Sequence, residues 1–101
     1  MKNKACLVVR DKWIDSSGNL FELVIWQVPR PVPPAKHHYK YRLVYVRDGK
    51  RVIGFDNERG KGDHMHRGDF QIPYNFHSIE KLVNDFLKEV QRWESSNVRS
   101  R

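Results

Sequence analysis

His64 and His66 are the residues of this chain best equipped for chemistry. Histidine is the side chain whose ordinary pKa lies nearest neutrality, so it can give and take protons at pH 7. Two residues apart, the pair projects from the same side of an extended segment. It closes a polar stretch, Asp56 to Arg67, that holds three carboxylates, two histidines, three cations, two glycines and one apolar side chain, Met65. Nothing in it could be a core. This set suits cleavage of RNA without a metal or other cofactor. The ribose 2′-hydroxyl attacks the adjacent phosphorus while one imidazole removes its proton and the other protonates the leaving oxygen, and Lys61 or Arg59 stabilises the charge growing on phosphate. Glu58 or Asp56 would orient a histidine. Gly60 and Gly62, flanking Lys61, would let backbone N–H groups approach a phosphate closely. Asn57, Asp63 and Arg67 within the stretch, and Lys40 and Arg42 upstream of it, complete the expected substrate contacts.

The same residues admit other readings. Asp56, Glu58, Asp63, His64 and His66 supply enough oxygen and imidazole donors for Mn²⁺, Mg²⁺ or Zn²⁺, which would make a metal-dependent nuclease or nucleotidyl-transfer enzyme. Their spacing matches no strict metal motif. Gly-Lys-Gly is no P-loop, because the long glycine spacing and the Lys-Ser/Thr ending are absent. A non-catalytic module gripping nucleic acid or an acidic partner is the third reading, and two histidines in a basic loop can also be inert. His37 and His38, beside Lys36 and Lys40, read as nucleic-acid contacts and His77 as local packing. Tyr39, Tyr41 and Tyr45 either stack on bases or form a buried cross-strand cluster.

Charge agrees with a polyanionic partner. Nineteen Lys and Arg against twelve Asp and Glu give a net charge of +7, which favours nucleic acid or an acidic protein. With 101 residues the chain is long enough for one core and too short for two. The expectation is a single domain over 1–101, with 1–4 and 95–101 frayed. No apolar run approaches a membrane span and none follows the basic start as a signal peptide, so the expected location is the cytoplasm. Cys6 has no second cysteine to pair with and is expected to be a small buried hydrophobe.

The elements that must hold these residues follow from periodicity. Residues 5–14 and 20–28 read as strands around an Asp15–Asn19 turn, with Phe21, Leu23, Ile25 and Gln27 on one face of the second. The proline-rich 29–34 segment is a stiff connector, since proline donates no backbone N–H. Tyr39 to Arg47 alternates, and Asp48-Gly49 signals a type I′ hairpin turn. Taken without irregularity, that turn places Tyr45 opposite Val52, Leu43 opposite Gly54 and Tyr41 opposite Asp56. Asp56 and Glu58 would then extend the tyrosine face, and Asn57 and Arg59 the face of Val44, Ile53 and Phe55. Residues 68–76 allow at most a short edge strand. Ser78 caps a helix in which Ile79, Leu82, Val83, Phe86, Leu87, Val90 and Trp93 share a face, opposite a solvated face of Lys81, Asp85, Lys88, Glu89 and Arg92. The expected architecture is α+β: a four-stranded antiparallel sheet of two hairpins with one long C-terminal helix on one side.

Val24-Ile-Trp-Gln-Val-Pro29, Pro31-Val-Pro33, His38-Tyr-Lys-Tyr-Arg-Leu-Val-Tyr45 and above all Phe55-Asp-Asn-Glu-Arg-Gly-Lys-Gly-Asp-His-Met-His66 resemble the TumE family of small toxins from bacterial and archaeal toxin–antitoxin pairs. The resemblance covers about residues 5–94. It implies growth inhibition and a cognate antitoxin, usually a small DNA-binding protein encoded alongside. Its most specific block falls on Asp56, Asn57, Glu58, Arg59, Gly60, Lys61, Gly62, Asp63, His64 and His66. RNA is the expected substrate by analogy with other toxins of this size. A homo-oligomer and a toxin–antitoxin hetero-oligomer are both compatible with it.

Overall fold

A computed structural model describes residues 4–98. Six strands, β1 (Cys6–Ile14), β2 (Leu20–Gln27), β3 (Tyr39–Arg47), β4 (Lys50–Glu58), β5 (Gly62–Arg67) and β6 (Phe70–Pro73), form one antiparallel sheet in chain order. Helix α1 (Ile79–Val98) follows. The class is α+β with one C-terminal helix on an antiparallel sheet, but the sheet has six strands and not four. Of the two further strands, β6 is the short edge strand that residues 68–76 allowed, and β5 comes from the polar stretch. Its Gly62–Arg67 half pairs along its whole length with β4, from Glu58 opposite Gly62 to Ile53 opposite Arg67. Composition had argued for a loop there. Backbone pairing needs no apolar side chains, and neighbours already in place override a weak strand propensity.

The covered face carries the core. Phe21, Leu23 and Ile25 of β2, Tyr41, Leu43 and Tyr45 of β3, and Ile53 and Phe55 of β4 meet Leu82, Phe86 and Val90 of α1. Phe86 is fully buried and stands edge-on to both Phe21 and Phe55, so its burial alone contributes about 1.5–3 kcal/mol. The tyrosines are therefore core residues, as one of the two sequence readings had it. Ser78 caps the helix through its Oγ, which accepts from the Lys81 N–H at 3.1 Å. The helix departs from expectation at three points. Leu87 is 41% exposed, Asp85 and Glu89 turn back to bond Tyr74 and Arg67 of the sheet side, and the chain stays helical through 95–98. The other residues expected to fray, 1–3 and 99–101, lie outside the described residues.

One irregularity decides the rest. Asp48 and Gly49 both have positive φ, 51° and 75°, so the tight turn forms as expected and Arg47 faces Lys50. Between Val46–Arg51 and Tyr45–Ile53 the register then slips, leaving Val52 as an extra residue in β4. A bulge of one residue moves every following side chain to the opposite face. Leu43 thus faces Phe55, Val44 faces Gly54, and Arg42 faces Asp56. The expected faces are reversed: Asn57 joins the tyrosine face, and Asp56 and Glu58 lie on the other.

That other face bears no helix. It carries Glu22, Val24 and Trp26 of β2, Lys40, Arg42 and Val44 of β3, Gly54, Asp56 and Glu58 of β4, and His64 and His66 of β5. At the sheet's outer edge, β1 is almost entirely exposed, including Cys6. A single helix over the middle strands does not reach it, which is why the expected burial of Cys6 fails.

Candidate functional site

The β4–β5 hairpin brings Asp56, His64 and His66 together on the open face. Asp56 faces His64 directly, and His66 sits one pair along, opposite Gly54. His64 Nε2 lies 2.6 Å from Asp56 Oδ1, and His66 Nε2 lies 3.5 Å from the same oxygen. The two rings meet edge to face at 4.9 Å. His64 is only 3% exposed.

Proton bookkeeping at this cluster is informative. His64 Nδ1 is 3.0 Å from the Gly62 carbonyl oxygen. A carbonyl only accepts, so Nδ1 carries a proton, and Nε2 is the ring nitrogen beside Asp56 Oδ1. Asp56 Oδ1 is itself buried and has no hydrogen-bond partner among the described residues. Burial, and next the nearby Arg51 guanidinium, lower the His66 pKa below the usual imidazole value against the opposing pull of Asp56. Both effects favour the neutral form of the His66 ring. Asp56, His64 and His66 each bring one potential ligand atom to this region, and the three lie within 4.8 Å of one another.

Local sequence explains the arrangement. Gly54 has no side chain where a Cβ would come within 2.9 Å of Arg51 Cδ and 3.6 Å of the His66 ring, so the Arg51 chain lies over β4 beside His66. At the hairpin end, the Gly60 N–H donates to Pro33 O at 2.8 Å and the Lys61 N–H to Glu58 O at 3.0 Å. A Cβ on Gly62 would stand 3.2 Å from the Pro34 ring. The proline connector thus pins the turn. These glycines supply the positive φ of the turn and close packing against the connector, and the Gly60 N–H is already engaged, which corrects its expected role as a phosphate donor.

The other expected residues separate by face. Glu58 lies 3.9 Å from His64 Nε2 and pairs with Lys61 at 3.7 Å, both largely exposed at the cluster's margin. Arg59 is exposed at the turn. Arg42 faces Asp56 across the strands and pairs with Glu22 at 3.6 Å, and Lys40 donates through Nζ to Asn57 O. Asn57, Asp63 and Arg67 lie on the helix-covered side of the sheet, away from the cluster. Asn57 is fully buried, with Nδ2 donating to Tyr39 O at 2.7 Å and Oδ1 accepting from the Tyr41 N–H at 3.0 Å. Asp63 accepts from Tyr41 Oη at 2.7 Å and lies 2.8 Å from His37 Nε2. Arg67 bonds Glu89 of the helix at 2.9 Å. His37 is stacked on Phe76 at 3.9 Å, so it is a packing residue and not a nucleic-acid contact, whereas His77, expected to pack, is exposed. Arg51, Gly54 and Trp26 escaped the sequence reading; only the bulge reveals that the first two neighbour His66.

A family model described as toxin TumE matches residues 4–94. No curated protein and no solved structure matches the chain. Among the described residues, no helix is long and apolar enough to cross a membrane.

Proposed function

Because this chain belongs to the TumE toxin family and so is the toxin component of a toxin–antitoxin system with a cognate antitoxin, we propose that it inhibits growth by cleaving RNA at the Asp56–His64–His66 cluster, with a divalent cation held there. The single observation that carries this reading is Asp56 Oδ1, buried without a hydrogen bond and faced by two imidazole Nε2 atoms.

A histidine acid–base pair must flank the scissile phosphate, one group on the attacking oxygen and one on the leaving oxygen. Here both Nε2 atoms lie close to the same carboxylate oxygen, and His64 is buried. That geometry disfavours the metal-free pair expected from sequence and favours a shared cation. Donors bound to one ion at about 2.1 Å are about 3.0–3.4 Å apart; the two carboxylate–imidazole separations of 2.6 and 3.5 Å bracket that range, and all three atoms lie within 4.8 Å of one another. Two imidazoles and one carboxylate suit a first-row transition ion or Zn²⁺ better than Mg²⁺ or Ca²⁺, which favour all-oxygen sites. The cation's part would be to stabilise charge on the phosphoryl oxygens and to activate the attacking oxygen. His64 is held for this by the Gly62 carbonyl, which fixes its tautomer and leaves Nε2 free. Arg42 and Arg51, beside the cluster on the open face, attract and neutralise the phosphate.

The test is cleavage of total RNA by purified protein, first stripped with a chelator and then supplied with Mn²⁺, Zn²⁺ or Mg²⁺ singly, beside Asp56→Asn. Cleavage that returns with one transition ion in the wild type alone is the expected result. Cleavage persisting in chelator would restore the metal-free histidine pair. Absence of cleavage under every condition would exclude RNA as the target.

A further inference from the structure

The open face carries a second feature two strands away from the cluster. A groove of about 260 Å³ runs along β2 and β3, lined by Val24, Trp26, Lys40, Tyr41 and Arg42. Trp26 faces Lys40 on β3 and the 46% exposed Leu7 on β1. The chain has three tryptophans, and the other two have ring partners. Trp13 stacks on Phe21 at 4.8 Å, and Trp93 meets Tyr45 and the Arg47 guanidinium. Among the described residues Trp26 has neither an aromatic nor a cationic partner over its ring. It is a half-exposed indole on an uncovered sheet, beside two cations.

Register connects this groove to the chemistry. Val24, Arg42, Asp56 and His64 are consecutive cross-strand neighbours in one row. Strands lie about 4.8 Å apart, so the groove floor is about 10 Å from Asp56, a span that a dinucleotide covers. Arg42 stands between the two. Lys40 donates one of its three protons to Asn57 O and keeps its charge and two donors for a ligand. An aromatic ring with flanking cations on an open antiparallel sheet has the chemistry that holds an unpaired base and its phosphate, and the net charge of +7 favours that ligand.

We propose that this groove is a nucleobase subsite: the indole of Trp26 stacks on one base of single-stranded RNA, while Lys40 and Arg42 hold the phosphate leading from that base toward Asp56, His64 and His66. This rests on RNA being the ligand of the cluster. The groove has room for one planar base, and stacking on Trp26 requires that base to be unpaired, so single-stranded segments or loops are the ligand this subsite takes.

Binding can be measured without turnover, using Asp56→Asn as the parent and a labelled single-stranded RNA oligonucleotide. Trp26→Leu keeps apolar bulk and removes the π face, and its dissociation constant should rise about tenfold, within the range for losing one stacked base. Trp26→Phe should stay within about threefold of the parent. Against an oligonucleotide carrying abasic positions, the parent should weaken to the level of Trp26→Leu, and Trp26→Leu should not weaken further. Equal affinity of the parent and Trp26→Leu for intact RNA would overturn the subsite, as would an equal loss in Trp26→Phe. RNA cleavage that proceeds normally in Trp26→Leu with unchanged KM would remove the subsite and leave the proposed reaction standing. Failure of the parent and of the metal-loaded wild type alike to bind RNA would remove both.

Discussion

The β4–β5 hairpin presents one histidine-contacting aspartate to each side of the sheet, and the two are built differently. On the covered side Asp63 takes a hydrogen bond from Tyr41 at 2.7 Å and lies 2.8 Å from His37, which is stacked on Phe76. On the open side Asp56 Oδ1 touches two imidazole nitrogens and bonds neither. The residue types are the same. A buried polar group with its partners in line stabilises the fold, whereas one left without them costs stability and points to something outside the chain that satisfies it. Asp63 and His37 hold the connector to the sheet, whereas Asp56, His64 and His66 form the cluster proposed to hold a cation.

This division is open to direct attack. The largest effect should come from Asp56→Asn, which is expected to reduce RNA cleavage on the order of 10²-fold or more and to leave the thermal midpoint unchanged or raised. Asp63→Asn should do the reverse, lowering the unfolding free energy by about 1–3 kcal/mol with cleavage per folded molecule intact. Denaturant titration and a cleavage assay on both variants decide the matter: a folded but inactive Asp63→Asn, or an unfolded Asp56→Asn, would break the contrast.

Asn57→Ala removes a buried amide that bonds Tyr39 O and the Tyr41 N–H. Leaving those groups unpaired should cost about 2–3 kcal/mol, read as a lower urea midpoint at an unchanged slope. Next in size is the pair His37→Ala and His66→Ala. The first is expected to lose about 1–2 kcal/mol through its hydrogen bond and ring stack, and it should still bind Mn²⁺ or Zn²⁺ in calorimetry. The second should stay as stable as the parent and lose that binding. A His37→Ala protein that no longer binds either ion would place the cation on the wrong side of the sheet.

The smallest effect concerns acid. Burial raises the Asp85 carboxyl, but its hydrogen bonds from Lys81 and Tyr74 outweigh this and hold its pKa below the ordinary 3.8. The folded state therefore binds protons less readily than the unfolded one. The stability that Asp85 contributes is full above its unfolded value and is lost as pH falls through the folded one. Asp85→Asn should flatten the fall in thermal midpoint below about pH 4, a change that melting curves across that range would register.

By itself the sequence determined the polar stretch as the place of interest, the pairing of His64 with His66 on one side of a strand, the Asp48-Gly49 turn, the helix and its buried stripe. Each depends on local chemistry or on periodicity within one element, which a single segment carries. The sequence also carried the family resemblance, now matched over residues 4–94. It did not carry the face on which Asp56 lies. That depended on one extra residue, Val52, in the ladder between β3 and β4, and a bulge is a compromise between two strands that neither encodes alone. Once placed, it sent Asn57 into the core and Asp56 to the histidines. It also brought Arg51 beside His66 and aligned Trp26, Lys40 and Arg42 with the same open surface. Residue types fixed which groups could act, and the register of pairing decided which of them meet, because in a sheet a shift of one residue exchanges the two faces.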